Sequence, residues 1–140
     1  MDNVEFRSDV LNPCSTSSGP APAADGAGGT AALLGERETV GGDQIGISWD
    51  AGCGATQYNL IYGDLANLTT LALSGNQCDI GNGSYTWNGV PSGNLFYLVI
   101  GSDGSGTESP WGLATAGERN GIDPSGACGA TTKDLSGSCP

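Results

Sequence analysis

The 140-residue chain carries 15 acidic and 4 basic side chains and no histidine, which gives a formal net charge of -11. A surface this acidic repels nucleic-acid phosphates and anionic lipid, so we expect no nucleic-acid partner and no membrane insertion. No apolar run approaches the roughly 20 residues that a membrane-spanning helix needs. The length suits one domain with tails.

The cysteines point to an oxidising compartment. The chain has five of them and none lies in a CxxC pair, so the usual zinc and haem spacings are missing. Structural disulfides are the better interpretation of such a pattern. The 25 glycines and the scarcity of lysine are typical of secreted proteins. We therefore predict an extracellular or cell-surface location.

Residues 1–29 are predicted to be an N-terminal strand followed by a linker. Alternation over residues 2–11 places Val4, Phe6 and Val10 on one side of an extended strand and polar side chains on the other. Cys14 follows directly. The next stretch is rich in Gly, Pro, Ala and Ser, a composition typical of linkers.

Residues 30–114 alternate apolar and polar positions in short runs separated by turn residues, which predicts an all-β antiparallel sandwich of seven strands. We expect the inward-facing residues to include Trp49 on the second strand and Tyr58 on the third. The strands are predicted at 30–40, 44–50, 57–63, 69–74, 84–90, 94–102 and 107–114.

The runs ISWDAGCGATQYNLIYGD and YTWNGVPSGNLFYLVIGSDGSGTES resemble the immunoglobulin-like fibronectin type III sandwich. A core Trp (Trp49), a Tyr opening the third strand (Tyr58) and an apolar residue before a Pro/Gly turn (Val90) carry the likeness. It departs from the family at Leu95, where a corner tyrosine is usual. Together with AGERNGIDPSGACGATTKDLSGSCP, the chain also resembles uncharacterised C-terminal modules of large secreted bacterial proteins, which implies location and architecture but no activity.

Residues 115–140 are predicted to be a disulfide-containing tail that packs on the sandwich. Cys128 and Cys139 are near enough in sequence to close a small loop, and Cys53 and Cys78, each just past a strand, can bridge the sandwich edge. This pairing leaves Cys14 free. Five cysteines allow many other pairings.

Catalysis has little support in the sequence. Without histidine, Ser-His-Asp and Cys-His arrangements are excluded, and the aspartates lie in or beside turns, where they usually shape the backbone. We therefore predict no enzyme, no catalytic residues and no cofactor. Calcium is the alternative, because SDGSGTES at 102–109 offers Asp103, Ser105 and Glu108 on a Gly-rich loop, although the EF-hand pattern is missing.

Two further kinds of site are candidates. Trp87 and Tyr85 share one face of the fifth strand and are expected in the core, whereas Trp111, near the end of the last strand, is expected to be exposed and able to bind sugar rings. Asn67 and Asn82 begin N-x-S/T triplets in predicted loops, where a glycosylation acceptor would be accessible.

The sixth strand carries more apolar side chains than one core face uses. Phe96, Leu98 and Ile100 fall on its outer face, beside Ile61 of the third strand. An antiparallel sandwich normally shows a polar outer face, so these four residues imply a cover. Three covers are considered: the chain's own tail, another subunit, or the apolar face of an N-terminal strand.

The sequence is consistent with two functions. The first is a non-catalytic extracellular structural module that binds copies of itself through its N-terminal strand, with strand addition giving filaments. The predicted intermolecular contact residues are Val4, Phe6, Val10, Cys14, Ile61, Phe96, Leu98 and Ile100. The second is an accessory module of a larger secreted protein, in which Trp111 binds cell-surface polysaccharide.

Overall fold

The computed structural model describes residues 19–23 and 32–136. Within them the chain is all-β, as predicted, with a single short 3₁₀ helix at Leu65–Asn67. In these residues no helix has the length and apolar character needed to cross a bilayer. The strands are β1 (Leu34–Arg37), β2 (Gln44–Ser48), β3 (Gln57–Asp64), β4 (Gly75–Gln77), β5 (Ser84–Asn88), β6 (Leu95–Ser102), β7 (Thr107–Glu108), β8 (Leu113–Ala114), β9 (Gly117–Glu118) and β10 (Thr132–Lys133).

The strands form two main sheets and a small hairpin. The first sheet has the order β1-β2-β5, the second has the order β10-β7-β6-β3-β4, and β8 pairs with β9. All pairs are antiparallel except β10 with β7, which run parallel. The pairing of β3 with β6 is the longest, from Gln57 opposite Ser102 to Asp64 opposite Leu95. The two sheets and their common core are compatible with a β-sandwich.

The main core lies between the two sheets. Trp87 of β5 and Trp49, which directly follows β2, pack against Tyr58 and Leu60 of the second sheet in one buried cluster. The rings of Trp49 and Tyr58 meet edge to face at 5.3 Å between centroids, a favoured aromatic geometry. The predicted inward positions of Trp49 and Tyr58 are therefore confirmed, and strand alternation explains them.

Two strand predictions are wrong. Residues 69–74 are not a strand, because Asp64 caps a 3₁₀ helix by accepting from the N–H of Ala66 at 2.8 Å, and β4 starts only at Gly75. The strand predicted at 107–114 ends at Glu108, two residues before Pro110, which has no N–H to donate to a ladder. Leu113 and Ala114 pair instead with β9.

The outer face of the second sheet is covered by the chain itself. Ile61 and Ile100 form a second buried cluster with Trp111 and Ala127, and Leu98 packs against it. Phe96 is also buried and lies over Gly63, where an added Cβ would come within 2.6 Å of the Phe96 ring. Our expectation that Ile61, Leu98 and Ile100 contact another molecule is corrected, since Trp111 and Ala127 of the same chain occupy the position of the cover.

Candidate functional sites

Trp111 is a core residue rather than an exposed ligand platform. Its exposed fraction is 5%, and it packs in the second cluster with Ile61 and Ile100. Its indole N–H donates to Oε1 of Glu108 at 2.8 Å. The predicted sugar-binding role of Trp111 is therefore wrong: the β8–β9 hairpin and the residues after it fold back over the sheet, and a ring buried beneath them cannot stack on a sugar.

Glu108 is the centre of a buried hydrogen-bond network. It is fully buried at the end of β7 and accepts from three donors. Oε1 accepts from Trp111 Nε1 and from the N–H of Ser125, each at 2.8 Å, and Oε2 accepts from the Ser125 hydroxyl at 2.6 Å. A buried carboxylate is stable only when it is hydrogen-bonded in this way. Glu108 thereby joins β7 to the segment that covers the second sheet.

Lys133 forms a second buried contact with the same segment. Its Nζ donates to the carbonyl oxygens of Arg119 at 2.6 Å and Gly121 at 3.0 Å, and lies 3.0 Å from Oε1 of Glu118. It also lies 4.5 Å from the centroid of the Trp111 ring, within the range of a cation–π contact. The ammonium has three N–H groups, and these three oxygen atoms provide one partner for each.

Together these contacts hold the C-terminal segment to the sandwich. Glu118 links the two networks, since it also accepts from the backbone N–H of Trp111 at 2.5 Å. We did not single out Lys133 or Glu118 from the sequence, and we did not predict a structural role for Glu108. The sequence did contain one signal for Lys133, the rarity of basic residues. In a chain with only four cations, each is a candidate for a specific ion pair.

The 102–109 loop is a tight turn between β6 and β7. Asp103 accepts from the N–H and hydroxyl of Ser105 at 2.8 Å and 2.7 Å and from the N–H of Thr107 at 3.0 Å. The hydrogen bonds from Ser105, followed by those from Thr107, lower the pKa of Asp103 to about 2. Glu108 is engaged in the separate buried network described above. In residues 19–23 and 32–136, no three Cys, Asp or Glu side chains lie together in a way that could hold a metal ion.

The cysteine pairing differs from the prediction. Cys78 bonds to Cys128, with a Cα–Cα distance of 5.5 Å, so the predicted Cys53–Cys78 and Cys128–Cys139 bonds are wrong. Cys53 is also in a disulfide. The prediction missed the Cys78–Cys128 pair because the folding of the tail across β3 and β4 brings together residues 50 positions apart. A disulfide of this kind indicates an oxidising environment.

The predicted glycosylation positions, Asn67 and Asn82, are both exposed. Asn67 ends the 3₁₀ helix and Asn82 lies in the turn before β5. The predicted contact residues Val4, Phe6, Val10 and Cys14, and the predicted disulfide residue Cys139, fall outside the described residues.

A groove of about 480 Å³ opens at one end of the sandwich, which we call the end groove. Apolar and aromatic side chains line it between the two sheets, and burial raises the pKa of the Tyr97 hydroxyl. The Gly41–Asp43 turn and the 91–93 turn form its rim. Val40, next to this rim, is 97% exposed. The apolar lining consists of Ile45, Trp87, Val90, Leu95 and Tyr97.

The strand β5 is an edge of the first sheet and carries no charged residue and no proline. It pairs with β2 on one side, and no other described strand pairs with it. Its residues are Ser84, Tyr85, Thr86, Trp87 and Asn88. Natural edge strands are usually protected by charge, proline or bulges. The other edge, β1, fits this rule because its four residues include Glu36 and Arg37. β5 does not.

Comparison of the chain with protein-family models, with curated protein sequences and with solved structures gives no match. The function is therefore inferred from the geometry of the described residues.

Proposed function

We propose that this chain is a non-catalytic extracellular structural module of the fibronectin III-like type, which associates with copies of itself through its N-terminal strand. One observation carries the proposal. In the constant-type immunoglobulin sandwich the fourth strand lies beside the fifth, in the same sheet as the first and second strands. Here β4 pairs with β3 in the other sheet, and no described strand lies beside β5.

The orientation of the backbone N–H and C=O groups of β5 supports its open edge as the site where a strand from another copy adds. The N–H of Trp49 donates to the carbonyl of Gly83 at 2.9 Å, so the polar groups of Gly83 face β2. Because orientation alternates along an antiparallel pair, those of Tyr85 and Trp87 also face β2, and those of Thr86 point to the open edge. The Thr86 carbonyl accepts from the Asn88 side chain at 3.2 Å, which agrees with this orientation.

The donor in this proposal is the N-terminal stretch 2–11. Its alternation gives one apolar face, formed by Val4, Phe6 and Val10, as a strand added to a sheet above a core requires. Such a contact joins two different surfaces, so it does not close on itself and gives filaments. The disulfide of Cys78 with Cys128 favours an extracellular site of assembly.

A substitution at Thr86 tests the proposal. Thr86→Pro removes the N–H at the open edge and leaves the β2–β5 ladder intact, because proline is tolerated at such edge positions. Thr86→Val, the matched control, keeps the N–H. Particle size is measured by light scattering and electron microscopy, and folding by circular dichroism. We expect long particles for the natural chain and Thr86→Val, and a folded monomer for Thr86→Pro.

Monomers of the natural chain at high concentration would overturn the proposal. So would a folded Thr86→Pro variant that assembles as well as Thr86→Val. A truncation of residues 2–11 that leaves Cys14 in place gives an independent comparison, since it removes the donor without altering the cysteines.

A further inference from the structure

We infer that the end groove is the docking site for Phe6 of a second copy of the chain, so that copies join head to tail. This inference rests on the proposed function and names the surface that recognises the donor. The groove is lined by apolar side chains that include Trp87 and Tyr97, and it has a polar rim. At about 480 Å³ it has room for one aromatic side chain with its flanking backbone.

The end groove lies at the carboxyl end of β5. Trp87 belongs to β5 and also lines the groove, and Val90 and Pro91 follow β5 directly. A strand that pairs with β5 and continues past its carboxyl end would therefore reach the mouth of the groove. In a strand with a repeat of two residues, Val4 and Phe6 point to the same side. Phe6 is the largest apolar residue of that face and buries the most area in a groove.

The position of the chain's N-terminal part favours a second copy. Ala21 lies at the opposite end of the sandwich, where its N–H donates to the carbonyl of Cys53 at 2.7 Å in the loop between β2 and β3. The end groove lies where β2 and β6 begin. The described residues 19–23 thus lie at one end of the domain, and the groove opens at the other.

The length of the segment 1–18 is sufficient for such a contact. The eight residues of β3 span about 26 Å, which approximates the height of the sandwich. Eighteen residues reach up to roughly 60 Å when extended. The segment is therefore long enough to leave one domain and lie along β5 of the next, in an end-to-end stack with the same contact at each step.

Three of the seven exposed large apolar side chains of the described residues lie at the same end of the sandwich as the groove. Val40 is 97% exposed, Leu65 47% and Leu68 49%, and they lie in the turns that follow β1 and β3. Leu65 is tied to the groove side of the molecule, because its N–H donates to the carbonyl of Asn94 at 2.8 Å, just before β6. A partner seated in the groove would cover part of this surface.

Photo-crosslinking between isotopically distinct copies tests the inference. A benzoylphenylalanine replaces Phe6 in ¹⁵N-labelled full chain, which is mixed with unlabelled full chain and irradiated. The same replacement at Arg7, on the opposite face of the strand, is the matched control. We expect mixed-isotope crosslinks from position 6 to peptides covering 41–45 or 87–97, and few such crosslinks from position 7.

A rim substitution provides the second measurement. Ser92→Glu places a charge at the mouth of the apolar groove, while Thr115→Glu makes the same change in charge at the exposed turn between β8 and β9. We expect about a tenfold fall in mixed-isotope crosslinks for Ser92→Glu, the change that a modest loss of binding free energy produces, and none for Thr115→Glu. Both side chains are exposed, so folding is maintained.

The outcomes separate this inference from the proposed function. Monomers in every sample would overturn both. Assembled particles whose position 6 crosslinks outside the groove would overturn the docking site and leave self-association standing. Crosslinks confined to a single isotope would show that the segment folds into its own groove, which contradicts the head-to-tail arrangement.

Discussion

The indole N–H of Trp111 donates to Oε1 of Glu108 at 2.8 Å, and both side chains are buried. This contact joins the end of β7 to the segment that covers Ile61 and Ile100. From the sequence alone, Glu108 was considered as an alternative calcium ligand and Trp111 was predicted to lie at a binding surface. Both contribute to stability instead.

Glu108→Ala should lower the free energy of unfolding by about 3 kcal/mol or more, because it leaves the buried donors of Trp111 and Ser125 without an acceptor. Glu108→Gln keeps one acceptor and should cost less. Urea unfolding with disulfides intact measures both. Glu36→Ala on exposed β1 is the control and should change stability by no more than about 0.5 kcal/mol. Equal effects at Glu108 and Glu36 would refute the structural role of Glu108.

Lys133→Met should cost about 3 kcal/mol, because it keeps the apolar stem but leaves Glu118 and two carbonyl oxygens without the ammonium. A double-mutant cycle with Glu118→Gln measures the coupling. We expect the double variant to lose less stability than the two single variants together, by about 1 kcal/mol. Strict additivity would mean that the ion pair contributes nothing.

Replacing both Cys78 and Cys128 by serine should reduce stability by about 4 kcal/mol, the chain-entropy estimate for a loop closed across 50 residues. Peptide mapping of the natural chain under non-reducing conditions should find the Cys78–Cys128 peptide pair. Finding Cys78 joined to Cys53 would contradict the structure. The variant should also expose Ile61 and Ile100 more often, seen as binding of a hydrophobic dye.

The carboxyl of Asp103 should titrate with a pKa of about 2, below its ordinary value of 3.8. The folded state favours the carboxylate, so the stability from this group is present above its ordinary pKa and is lost as the pH falls toward 2. Carboxyl NMR measures the titration directly. Ser105→Ala removes the largest cause and should raise the pKa; no change would exclude the Ser105 hydrogen bond as that cause.

The sequence was most informative where packing follows a local period. Alternation correctly placed Trp49 and Tyr58 in the core, because a strand between two sheets must bury every second side chain. It also showed that Phe96, Leu98 and Ile100 needed a cover. Which cover could not be predicted, because residues 111–130 have little periodicity and are held by long-range contacts.

The candidate sites were harder to predict for the same reason. The disulfide partner of Cys78 depends on where Cys128 arrives after the chain folds back. The open edge of β5 follows from β4 joining the other sheet, a choice between two neighbours that no residue pattern of β4 reveals. The end groove depends on both sheets meeting at their ends, which a single strand's sequence does not encode.

The most direct test of head-to-tail assembly through the N-terminal strand is a mixing experiment. A chain lacking residues 2–11 still offers its β5 edge and end groove but donates no strand, so it terminates growth at one end. With one truncated copy in ten, a saturated head-to-tail filament should shorten to about ten subunits, measured by electron microscopy. Filaments whose length does not respond to the truncated chain, or a natural chain that stays monomeric, would contradict the account.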